Sequence, residues 1–137
     1  MINKLSHACI YVLDQEVAYD FYVNKLGFKV HTDAPMGEGF RWLTVSPPGQ
    51  TDLEITLMPV KAGMSLDEEK AEKLRELIKA GTFGFGVFGT DDCRKTYEEL
   101  KARGVQFKGE PEEQFYGIEA VFQDPFGNWF SLTQTKD

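Results

Sequence analysis

A chain of 137 residues, 42 % hydrophobic and 27 % charged, has the balance of a globular domain and the length to bury a core. Its net charge of −7 argues against nucleic acid and anionic membrane surfaces as partners, since both require cationic patches. No apolar run approaches the roughly 20 residues of a membrane span, and the N-terminus MINKLSHACIYVLD meets polar residues too early for a secretory leader.

In chain order, residues 4–12 read as a β-strand. Asp14 then caps a helix carrying Val17, Ala18, Phe21, Tyr22 and Leu26 on one stripe, and Gly27 ends it. Three strands follow at about 28–33, 40–46 and 52–58, separated by Pro and Gly. Between 60 and 81 lies a charged helix opened by a Ser65-x-x-Glu68 capping box, with Ala71, Leu74, Leu77 and Ile78 on one side. It reads as a surface linker, or alternatively as a lid or dimer-contact element. The order then restarts. A glycine-rich strand at 82–89 precedes a helix capped by Asp91 or Asp92 and ended by Gly104. Further strands fit 105–109, 116–123 and 128–134, the last two joined by the DPFGN turn at 124–128.

The two halves superpose at one nearly constant offset: Asp14 falls on Asp91 and Gly27 on Gly104, 77 residues apart in each case (91 − 14 and 104 − 27). The expected fold is therefore α+β, with two tandem β-α-β-β-β modules at 1–59 and 82–137 and a linker helix at 60–81. Together they form one domain, whose curved, mostly antiparallel sheet surrounds a pocket. Cys9 and Cys93 show no framework or metal spacing and are read as reduced thiols in a cytoplasmic protein.

The phrases SHACIYVLD and FYVNKLGFKV in the first half, with FGTDD, YEELKARGVQF and FQDPFGNWFSLTQ in the second, resemble the vicinal oxygen chelate superfamily. That superfamily includes glyoxalase I, extradiol dioxygenases and bleomycin-resistance proteins, and the likeness covers nearly the whole chain. Metal-using members draw two ligands from each module. The resemblance implies His7 and Glu54 as the ligands of the first module. In the second, Phe85 or Gly84 stands where a histidine is expected, and Ser131 stands 77 residues after Glu54 (131 − 54). Firm binding of a divalent ion at a catalytic site needs about three protein ligands. Hence either no cofactor is required, or a divalent metal is held weakly. The resemblance also implies a homodimer.

Strand periodicity places His7, Cys9 and Tyr11 on one face, and Glu54 with Thr56 and Met58 on another strand's face. A carboxylate between Leu53 and Ile55 is costly unless exposed, paired or bound, so Glu54 is either a solvent-facing residue or a pocket acid able to act as general base. Arg41 and Trp42 alternate, so only one points inward. Phe85, Trp129, Tyr116 and Phe122 are candidate pocket aromatics, and Ser131 a candidate hydrogen-bonding group. His31 reads as an ordinary surface residue. Two functions follow as expectations. One is a bleomycin-resistance-type protein that binds a small aromatic or apolar molecule. The other is a glyoxalase-like lyase/isomerase or dioxygenase using His7 and Glu54.

Overall fold

The computed structural model describes residues 1–37, 39–63 and 66–136. They form two compact units, Met1–Arg75 and Glu76–Asp137. The element order repeats, and the fold is α+β with mixed sheets.

In the first unit, β1 (His7–Val12) leads into helix α1 (Gln15–Tyr19), which widens into a π-helical stretch at Asp20–Lys25. The Asp14 carboxylate accepts from the Val17 N–H at 3.0 Å, as an N-cap should. Strands β2 (Lys29–Pro35), β3 (Arg41–Ser46) and β4 (Glu54–Pro59) complete a sheet of order β1-β4-β3-β2, parallel only between β1 and β4. Ile10, Val12, Leu43, Val45, Ile55 and Leu57 are buried on one face, together with Ala18, Phe21 and Tyr22. Val17 departs from the expected stripe: it is 42 % exposed, because the buried line is centred on Ala18 and Tyr22 and its first place is taken by Gln15.

Gln15 bridges two strands of the sheet. The β3–β4 ladder pairs Thr44 with Thr56 and Val45 with Ile55. Past it, the Gln15 amide donates to Arg41 O (2.7 Å) and Leu57 O (3.0 Å) and accepts from Arg41 N (3.2 Å).

Helix α2 (Glu68–Lys79) contains the division between the units, so the expected linker 60–81 contributes residues to both. Ser65, the expected cap, lies outside the described residues; within them, Asp67 accepts from the Lys70 N–H at 2.8 Å.

In the second unit, β5 (Gly84–Gly89) is followed by helix α3 (Cys93–Ala102), capped by Asp92 rather than Asp91. Strands β6 (Gln106–Phe107), β7 (Glu112–Gln114), β8 (Gly117–Gln123) and β9 (Trp129–Thr135) give the order β5-β9-β8-β6, with β7 also on β8. The expected strand at 105–109 shrinks to two residues, and β7 was not anticipated. Gly27 and Gly104, with φ of 81° and 93°, end the paired helices as their repeat predicts. Asp124 organises the β8–β9 turn, its Oδ1 accepting from the N–H groups of Phe126, Gly127 and Asn128.

Candidate functional site

The face of the first sheet opposite its helix gathers polar groups along β1 and β4. The ladder pairs His7 with Glu54, Cys9 with Thr56 and Tyr11 with Met58, so these six side chains share one surface. His7 Nε2 lies 3.1 Å from Glu54 Oε2, and Thr44 donates to Glu54 Oε1 at 2.8 Å. Ser6 Oγ is 3.0 Å from His7 Nδ1. Glu54 is thus partly shielded and hydrogen-bonded on this face. Trp42, two residues from Thr44, shares that face, while Arg41 turns to the helix side and pairs with Glu16 and Asp33. Cys9 is exposed on the surface, not buried in a core, and partial desolvation raises its thiol pKa above the ordinary value.

His31 is a surface residue, as read from the sequence, and it also faces Glu54. The β2–β3 register slips between Val30 and Thr32, and His31 is the extra residue. This bulge re-aims its ring so that Nδ1 comes within 3.9 Å of Glu54 Oε1. Two imidazoles and a threonine hydroxyl therefore surround one carboxylate. The donor set does not fit a firmly held metal ion. His7 and Glu54 are turned on each other, and among the described residues no three His, Cys, Asp or Glu side chains are arranged to hold one.

Four residues along β4 from Glu54, about 13 Å at strand rise, the same face meets a cavity of about 480 Å³. Tyr11, Met36, Phe40, Met58, Pro59 and Leu66 line it, and Lys61 is the charged residue among its described lining. It opens where the β3–β4 ladder has ended and the Gln15 amide stands between the strands.

The second unit is equipped differently. Gly84 opens the β5–β9 ladder opposite Trp129, as His7 opens the first ladder opposite Glu54. The indole lies across Gly84 so closely that any β-carbon there would overlap the ring, and the Lys108 ammonium sits 5.4 Å from its centroid. Phe85 falls in a bulge between Gly84 and Gly86 and is 36 % exposed. Ser131 is 6 % exposed and donates its proton to Glu119 Oε2; Tyr116 donates to Oε1 at 2.5 Å. Phe122 does not belong to a pocket. It is 1 % exposed in the core, against Phe88, Phe107 and Phe130, because alternation along β8 turns it to the helix side with Ala120. Glu119, Gln15 and His31 were missed from sequence. For Glu119 the signal was present: a lone carboxylate between Ile118 and Ala120, the pattern that singled out Glu54.

The repeated β-α-β-β-β order defines a scaffold that hosts many chemistries. The chain belongs to the Glyoxalase/Bleomycin resistance protein/Dioxygenase superfamily, whose sequence profile matches residues 4–132. The crystal structure of UcmS2 is similar at 44 % identity and a TM-score of 0.91, covering 98 % of this chain and 100 % of that one. TnmS3, an antibiotic binding protein from Streptomyces sp. CB03234, is similar at 31 % identity and a TM-score of 0.76, covering 98 % of each chain. YetH of Bacillus subtilis (strain 168), an uncharacterized protein, is 35 % identical over 134 residues, 98 % of this chain and 100 % of its own length.

Proposed function

We propose that this protein binds and sequesters a small aromatic or apolar molecule in the cavity of the first unit, with no cofactor required. The observation that carries the reading is the lining: a thioether-rich and aromatic wall of Met36, Met58, Phe40 and Tyr11, suited to flat apolar surfaces, about 13 Å along the sheet from a hydrogen-bonding cluster. A ligand spanning both seats its ring system on Met58 and Tyr11 and meets Glu54 and His7 with a polar end, passing Cys9 and Thr56. Trp42 borders this path. The likeness to an antibiotic binding protein supports the same class of ligand.

The test is titration of the purified chain with a panel of planar aromatic antibiotics, followed by fluorescence and calorimetry. At least one compound is expected to bind with a micromolar or tighter dissociation constant, to weaken about tenfold in Phe40→Ala or Met58→Ala, and to be recovered chemically unchanged. Failure of every compound to bind below millimolar concentration sinks the reading.

A second reading is favoured by the 3.1 Å contact of His7 Nε2 with Glu54 Oε2: a lyase- or isomerase-type enzyme in which Glu54 takes a proton from a carbon acid and His7 steadies the carboxylate. Turnover of a glutathione adduct by the purified chain, lost in Glu54→Gln, is the result that replaces sequestration by catalysis. Under either reading the protein acts in the cytoplasm as a homodimer.

A further inference from the structure

The two units use the same diagonal contact with its chemistry exchanged. In the first, the hydroxyl opposite Thr56 (Thr44 on β3) reaches the carboxylate two residues before it on β4, Glu54. In the second, the carboxylate opposite Thr133 (Glu119 on β8) receives the hydroxyl two residues before it on β9, Ser131. Acid and alcohol have traded strands.

The exchange changes what surrounds the acid. Glu54 faces two imidazoles, whereas Glu119 faces only hydroxyls. Ser131 Oγ and Thr133 Oγ1 are 2.7 Å apart. The single proton of Ser131 is committed to Glu119, so Thr133 is the donor in that pair. Tyr116 and Ser131 thus donate to the two oxygens of Glu119, and Thr133 donates in turn to Ser131. Among the described residues no cation pairs with it: the ion pairs of this unit found there join Arg94 to Glu113 and Lys95 to Glu99. Tyr116 and Ser131 each occupy one site on one carboxylate oxygen, which leaves acceptor capacity on both. The same face carries exposed apolar side chains. Val87 and Val121 flank Ser131 on either side, and Val87 is 68 % exposed.

We propose that this face of the second unit recognises a protonated amine borne on an apolar or aromatic body, with Glu119 as its counter-ion. Charge complementarity favours this ligand: a preorganised carboxylate among apolar groups, with no ion pair among the described residues, lacks only a cation. The inference rests on the small-molecule-binding reading and adds to it a cation-selective face on the second unit.

The experiment compares naphthylmethylammonium with its neutral counterpart, naphthylmethanol, by calorimetry at low salt. The wild-type chain is expected to prefer the ammonium by about tenfold, the size of one charged hydrogen bond. The preference should fall as salt rises and vanish in Glu119→Gln, while binding of the alcohol stays as it was. The salt series needs no variant, so it stands even if Glu119→Gln fails to fold. Equal affinity for the two probes, or a preference that survives Glu119→Gln in a folded variant, overturns the inference and leaves the cavity reading intact. Absence of binding by either probe, together with failure of the aromatic panel, overturns both.

Discussion

Tyr116 reports directly on the carboxylate beside it. Its hydrogen bond to Glu119, then partial desolvation, then the neighbouring negative charge raise the phenol pKa above the ordinary tyrosine value. A raised pKa in the folded state means the bond stabilises fully below the ordinary value and is lost as pH climbs through the raised one. Phenolate absorbance should therefore show Tyr116 titrating late. Tyr116→Phe removes a late step from the wild-type curve, and Glu119→Gln moves that step to lower pH; superposable curves for wild type and Tyr116→Phe at high pH would show that the bond does not form in solution. At this scale His7, Glu54 and Tyr11 were legible in the sequence, because strand alternation assigns a face without any knowledge of partners. Phe122 was misplaced despite the same rule, which already set Glu119 and Val121 opposite it. His31 was beyond reach, since a bulge shifts phase by one residue and leaves no trace in hydrophobic periodicity.

Among elements, the parting of β3 from β4 matters most, and one side chain manages it. Gln15 is 8 % exposed and answers three backbone groups on two strands. Gln15→Leu fills similar volume and leaves those groups without partners, so we expect a loss of about 2–4 kcal/mol in chemical denaturation. A loss below about 0.5 kcal/mol, typical of a surface change, would show that water replaces the amide there. Helix and strand order were readable from caps and glycines: Asp14, Gly27 and Gly104 all hold the places their types predict. The short β6 and the additional β7 were not readable, because both depend on pairing with β8 across the fold rather than on local preference.

For the whole molecule, the repeat was the strongest message of the sequence, and the matching element order of the two units repeats it in structure. Light scattering after size exclusion is expected to give twice the chain mass of 15.5 kDa, and a monomer at micromolar concentration would overturn the proposed homodimer. Duplication also leaves each unit free to change its equipment alone. The place that opens the second ladder lacks any side chain, and an indole fills the space above it. Gly84→His would collide with that ring, so an imidazole can enter this place only together with a smaller residue at position 129.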